Sequence, residues 1–173
     1  EVDSFGFGIR VLVDGHWGFA GDSMNARQSA SATVRRAIGL ARAMPKRSRT
    51  VELAPAPVVQ ETWATPCDED PFKVPIAEKV DFLEGVMRSM ANTSEKVIRT
   101  RTKLDSRREI CHLVTSEGTQ IEQTLTLTGA LLAVVVADQG QVFQRSYPCR
   151  HGDYGSGGYE LVRSLNLLET APT

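Results

Sequence analysis

Six prolines (Pro45, Pro55, Pro57, Pro66, Pro71 and Pro75) punctuate residues 45–75, and they constrain this chain more than any other feature. Proline donates no backbone hydrogen bond and holds φ near −65°, so neither a long helix nor a central strand can run through the stretch. The sequence therefore divides into a hairpin and helix within residues 1–50, a proline-rich linker over 51–75, and a second α+β region over 76–173. One short strand is expected in the connector, near Val51–Leu53.

Ahead of the prolines, Phe5, Phe7, Ile9, Val11 and Val13 alternate along one strand. Asp14-Gly15 supplies the two positive-φ positions of a tight hairpin turn, and His16, Trp17 and Phe19 return on the second strand. The strand glycines predict that something packs close to this backbone. A helix follows, with Asp22 or Ser23 as its cap. Ala26, Ala30, Val34, Ala37, Ile38, Ala41 and Met44 recur at helical spacing as its apolar stripe, and Pro45 ends it.

Beyond the linker, Pro75 opens a helix reaching about Ala91, with Ile76, Val80, Leu83, Met87 and Met90 as the expected buried stripe and Asn92-Thr93-Ser94 as the stop. From Lys96 the pattern predicts an antiparallel meander of about five strands: Val97–Leu104, Glu109–Thr115, Thr119–Thr128, Ala130–Ala137 and Gln141–Tyr147. Turns are expected at Asp105-Ser106, Ser116-Glu117-Gly118, Gly129 and Asp138-Gln139-Gly140. Ala130–Ala137 is apolar on both faces and reads as a covered central strand. A glycine-rich loop, Gly152–Gly158, leads into a short closing helix from Tyr159 to about Leu168. The fold class is α+β.

The chain has 173 residues with 41% hydrophobic and 24% charged content, which argues for a folded rather than disordered polypeptide. Its longest apolar run, Ala130–Ala137, is too short to cross a bilayer as a helix. No basic-then-apolar leader opens the sequence, and Cys67, Cys111 and Cys149 form no close pair, so a reducing, cytoplasmic setting without a membrane partner is expected. Charge is uneven. Arg27, Arg35, Arg36, Arg42, Lys46, Arg47 and Arg49 lie in 25–50 without an acid, and nine acids follow in 51–95. The basic helix could meet an anionic partner, or be a solvated face answered by the acidic stretch. No basic patch interleaved with aromatics is present, which argues against nucleic acid.

Catalytic patterns are missing. A zinc peptidase needs imidazoles one helical turn apart with a carboxylate to act on bound water. His16, His112 and His151 do not have that spacing. Cys111-His112 with Cys149 and His151 could hold a metal only if their strands were neighbours, and adjacent strand residues face opposite ways. Asp68-Glu69-Asp70 lacks the ligand spacing of a calcium loop and reads as a solvated acidic linker. Gly155, Gly157 and Gly158 precede a helix as a phosphate loop would, but without the Lys-Ser/Thr that follows in such loops, so a tight turn is the better reading. Ser156 has no motif-spaced base. Arg99, Arg101 and Lys103 share one face of a strand and are the candidates for lining a groove for an acidic or extended ligand, against the plainer reading as the wet side of a sheet. No residue is assigned a catalytic or metal-binding role.

The stretch Gly8-Ile9-Arg10-Val11-Leu12-Val13-Asp14-Gly15-His16-Trp17-Gly18-Phe19-Ala20 resembles the signature hairpin of the TldD/PmbA family, once called modulators of DNA gyrase. The alanine-rich helix, the Ser116-Glu117-Gly118 turn and Gly157-Gly158-Tyr159-Glu160 resemble that family's next elements in order and spacing. The resemblance implies that residues 1–50 end an amino-terminal domain and 76–173 form a middle domain. It further implies a zinc-dependent peptidase of unfolded peptides, acting as a homodimer or a TldD–PmbA-type heterodimer. The zinc would sit on a His-Glu-x-x-x-His helix in a carboxyl-terminal half that this sequence does not include, so no cofactor is expected on these residues. The rival reading is a non-hydrolytic interaction module, either a PmbA-like partner subunit or a gyrase- or nucleic-acid-associated binder using the basic helix 25–49.

Overall fold

The computed structural model describes residues 2–23, 27–44 and 49–171. Ala26, Pro45, Lys46 and Arg47 lie outside them, as does the side chain of Arg27. The chain forms two compact units, Glu1–Ala56 and Pro57–Thr173.

In the first unit, Phe7–Val13 (β1) and His16–Asp22 (β2) pair antiparallel, with Ile9 opposite Ala20 and Val11 opposite Gly18. Asp14 and Gly15 take φ of 50° and 74°, as the expected turn requires. Helix α1, Arg27–Arg42, packs on this hairpin through Thr33, Ala37 and Ala41, one turn apart and all buried. The buried stripe is narrower than the spacing predicted, because Val34 and Met44 are exposed. Its small residues have a reason. Gly18 is buried directly beneath the helix, where a Cβ would overlap the Ala37 carbonyl oxygen and stand 2.8 Å from the Ala41 nitrogen. The Asp22 carboxylate accepts a bond from the Ser29 hydroxyl (2.6 Å), and an Arg36 N–H donates to the Gly21 carbonyl. Val51–Leu53 is not a strand. It makes a bond back to the hairpin turn, Val51 N–H to Gly15 O (2.8 Å), and pairs with no strand among the described residues.

The second unit is a mixed sheet under three helices. Its elements are Gln60–Ala64 (β3), Ile76–Ala91 (α2), Val97–Val114 (β4), Gln120–Asp138 (β5), Gln141–Tyr147 (β6), Asp153–Ser156 (β7), Glu160–Ser164 (α3) and Leu167–Thr170 (α4). β5 is the axis. One edge pairs with β4 from Gln120 to Val136. The other edge is served in succession by β3, parallel to 120–124, then β7 at 127–130 and β6 at 132–138, both antiparallel.

The expected sheet of about five strands is present, but the strand bounds differ: two very long strands carry three short ones. The two supposed turns lie opposite each other in one unbroken ladder, Asp105 facing Gly129 and Ser106 facing Thr128. Turn-type residues permit a turn without requiring it, and a long partner strand keeps the hydrogen bonding extended. Gly129 is there for close approach. A Cβ on it would overlap the Asp153 carbonyl oxygen and the Tyr154 ring of β7. The glycine-rich loop is likewise corrected, since Asp153–Ser156 is a strand. The closing helix is two short ones, broken at Asn166, which adopts the left-handed region at φ 48°. The strand in the connector is β3, unforeseen because all five of its residues are exposed and show no alternation.

Even-numbered positions of β5 face the helices. Ala130 and Leu132 pack with Val86 and Met90 of α2, Val162 of α3 and Leu167 of α4. Full burial of each large apolar side chain contributes about 1.5–3 kcal/mol. The stripe expected on α2 holds toward its carboxyl-terminal end, where Met90 is buried and Met87 packs against the core, but not at its start. Val86 and Met90 are buried, whereas Ile76 is 74% and Val80 45% exposed. The odd-numbered face of the sheet carries no helix of this unit.

Candidate functional site

Two sites stand out in the second unit. The first is a clamp around Gly157-Gly158-Tyr159-Glu160. The Glu160 carboxylate accepts the N–H of Gly158 (2.6 Å) and of Glu69 (3.1 Å), while the Tyr159 N–H donates to Glu69 O (2.7 Å). A Cβ on Gly158 would overlap that same Glu69 oxygen and stand 3.0 Å from its carbon. The Glu69 carboxylate is gripped by Arg163 through Nε (2.6 Å) and Nη2 (2.7 Å), and Asp70 pairs with Arg108 of β4 at 2.8 Å. The segment 68–70 is thus a docking strap rather than the solvated linker expected. The glycines serve close backbone packing, with no cradle for phosphate. Thr128 reinforces the strap through its hydroxyl bond to Gly157 O (3.1 Å).

The charges of the strap are perturbed accordingly. The Arg163 bond holds Glu69 below the usual carboxylate range and raises Arg163. The Phe72 N–H, with Arg108, lowers Asp70. Desolvation pushes Glu160 up, but bonds from the backbone at Gly158, Glu160, Glu69 and Asp68 together outweigh it, and its pKa falls. A carboxylate lowered by folding adds stability at pH above its unfolded pKa, and that stability is lost as pH falls through the folded value. The unfolding midpoint of the second unit in urea is therefore expected to hold from pH 7 to about 5 and to fall below about 4.5, where unfolded carboxylates begin to protonate. The triple variant Glu69→Gln/Asp70→Asn/Glu160→Gln should show a flatter curve. Parallel curves for the two proteins would remove the strap as the cause.

The second site is the helix-free face of the sheet. β4 alternates Thr100, Thr102 and Leu104 inward with Arg99, Arg101 and Lys103 outward, so the three groove candidates do share one exposed face. They stand opposite Val135, Ala133 and Leu131 of β5, and Gln144 and Ser146 of β6 continue the rows at Val135 and Ala133. A Cβ on Gly152 would stand 3.3 Å from the Leu131 Cβ, and Leu131 itself is buried at 5% exposure. Lys103 lies over the Tyr154 ring (5.4 Å) and bonds Asp105 (3.1 Å), and both partners raise its pKa.

The candidate metal donors are not brought together. Cys111 is exposed opposite Gln123, and His112 meets Glu122 at 3.5 Å across the ladder. β6 ends at Tyr147 opposite Leu132, so Cys149 and His151 begin about 30 Å along β5 from Cys111. His16 belongs to the first unit. Among the described residues no three His, Cys, Asp or Glu side chains converge as a metal site needs. This donor set does not fit a zinc ion, and no chemical step of this chain is assigned to one. A shallow hollow of about 350 Å³ is lined by Thr62, His112 and Glu122 among others, with no Ser or Cys in its lining. The sequence pointed to Glu69 and Asp70 only as a solvated acidic linker, and it did not single out Arg108 or Arg163. Their one available signal was a run of acids that needed distant partners.

A hairpin with its helix, followed by a sheet strapped under short helices, matches a two-domain arrangement already known. Residues 1–41 match the model described as PmbA/TldA metallopeptidase domain 1, and residues 69–171 match the PmbA/TldA metallopeptidase central domain. The chain belongs to the PmbA/TldD metallopeptidase family, as the hairpin and the Gly-Gly-Tyr-Glu element suggested. It is 32% identical over 124 residues to metalloprotease slr0863 of Synechocystis sp., covering 71% of this chain and 26% of that protein. Two solved structures named as candidate modulators of DNA gyrase share the fold. The Thermotoga maritima protein has a TM-score of 0.69 at 15% identity, over 98% of this chain and 36% of that one. The Bacteroides thetaiotaomicron protein has 0.64 at 12%, over 93% and 39%. The chain spans about a quarter of the length of the curated relative it matches. No helix among the described residues is long and apolar enough to cross a membrane.

Proposed function

We propose that this chain is the non-catalytic amino-terminal and middle part of a PmbA/TldD-type zinc-dependent peptidase. It supplies a wall of the substrate chamber and part of a dimer contact, as a homodimer or a TldD–PmbA-type pair. Zinc and the hydrolytic groups reside in a carboxyl-terminal half, and the substrate is an unfolded peptide.

The observation that carries this reading is the helix-free face of the second unit. One face of the sheet is packed under α2, α3 and α4, while the other presents polar and charged side chains on a rigid strand array. Leu131 and Ala133 on that face are buried, but the β4 row of Arg99, Arg101 and Lys103 is exposed, and such side chains can hold an extended chain without contributing to bond cleavage. The match to a metallopeptidase central domain supports placing that face toward a substrate.

The test uses the full-length protein with a photo-crosslinking amino acid at exposed Gln144. During turnover of a fluorescent unfolded peptide, illumination should join position 144 to the peptide. Absent cross-links with cleavage intact would remove the wall role. Stoichiometric zinc in the isolated chain, together with unaided peptide cleavage, would overturn the division of labour.

A further inference from the structure

β4 carries five basic residues, and they are not equivalent. Arg108 is committed to Asp70 and stacks on the Phe72 ring at 4.7 Å. Arg107 is tied to Glu109 at 2.8 Å, and Lys103 to Asp105 and Tyr154. Arg99 and Arg101 are exposed and have no acidic partner among the described residues. Both lie on the helix-free face, two residues apart on one strand.

We propose that Arg99 and Arg101 form a carboxylate-reading pair that selects extended peptides with acidic side chains at alternate positions. This inference rests on the substrate-wall reading and adds to it the class of peptide. Side chains two apart on a strand recur at about 6.6–6.8 Å, and an extended ligand lying along β4 repeats its own side chains at the same interval. Each guanidinium offers paired donors that match a carboxylate, and these charge-assisted bonds are about twice as strong as neutral ones. Ala133, between Arg101 and Ser146, is short and buried at 6% exposure, so a ligand rests on Arg101 and the partly exposed Ser146 on either side of it. Gln144 flanks the row at Arg99 and can accept or donate to the ligand.

Charge complementarity favours an acidic peptide over a nucleic acid. Two unpaired cations would displace few counterions, whereas stable binding of a phosphate backbone uses several.

The test is fluorescence anisotropy on this chain at low salt. One labelled peptide alternates Glu with Ser, and its counterparts carry Gln or Lys in place of Glu. The Glu peptide is expected to bind at least about tenfold more tightly than the Gln peptide, equal to about 1.4 kcal/mol. Arg99→Glu/Arg101→Glu should invert the preference toward the Lys peptide. The control Arg107→Gln/Glu109→Gln, which removes a satisfied pair on the same strand, should leave it unchanged. Equal binding of the Glu and Gln peptides, no binding of either, or tighter binding of an oligothymidylate would overturn the proposal. Cross-linking at position 144 is a separate readout, so the carboxylate preference can fail while the wall role stands.

Discussion

Gly158→Ala is expected to destabilise the second unit by at least about 3 kcal/mol, the upper end of what overpacking costs, because the atom it strikes is backbone. The new Cβ would overlap the Glu69 carbonyl oxygen, which also accepts the Tyr159 N–H. A flexible side chain could swing away, but this carbonyl cannot move without breaking that bond. Nor can it move without shifting the Glu69 N–H that Glu160 receives. Steric strain and loss of the clamp therefore arrive together. Native domains are stable by about 5–15 kcal/mol, so the loss is a large share of the total. Thermal denaturation of the variant should show a midpoint lowered by more than about 10 °C. Glu160→Gln separates the two causes. Its amide keeps one acceptor oxygen for two N–H groups, so one donor loses its partner at a cost of about 1–3 kcal/mol. A Gly158→Ala midpoint within 2 °C (roughly 0.5 kcal/mol) of the wild type would show that the strap yields.

The second large effect falls in the first unit. Gly18→Ala should uncouple the β1–β2 hairpin from α1, because its Cβ would occupy the space of the Ala37 carbonyl oxygen. Ala37 and Ala41 are fully buried against the hairpin, and the helix cannot retreat without exposing both. A unit this small has little burial to spare, so about 3 kcal/mol of strain is enough to open it. Hydrogen exchange should show lost protection across 7–22 and 29–42 with protection over 97–138 retained. Gly39 provides the contrast within the same helix. No atom lies within 4 Å of a Cβ there, so Gly39→Ala should stabilise α1 by about 0.5–1 kcal/mol. If Gly18→Ala leaves amide protection over 7–22 intact, the close approach of helix to strand is not what holds the hairpin.

Local patterns were legible wherever the chain's own covalent chemistry decides the outcome. The Asp14-Gly15 turn, the start of α2 just after Pro75, and the interior position of Ala130–Ala133 follow from allowed φ values, a missing donor and an unbroken apolar run. Face assignments were less legible. Both helices carry more apolar positions than they bury, so Val34 and Ile76 fitted the period yet remain exposed. The alternating set Arg99, Arg101 and Lys103 was readable because strand periodicity is fixed at two. That two of the three lack acidic partners was not, since their competitors for carboxylates are distant in sequence. Asp70 reaches Arg108 across 38 residues and Glu69 reaches Arg163 across 94.

By itself the sequence determined the opening hairpin and its helix, the helix after Pro75, the α+β class and the family, because these rest on short-range sterics and on motifs of a few residues. Only the tertiary structure decided that Asp105-Ser106 and Gly129 extend rather than turn, that the glycines before Tyr159 admit a neighbouring backbone, and that the acids at 69–70 are anchors. The physical reason is common to all three. A turn-prone, glycine or charged residue has several low-energy states of similar free energy, and a partner strand, backbone or ion brought from far along the chain selects among them.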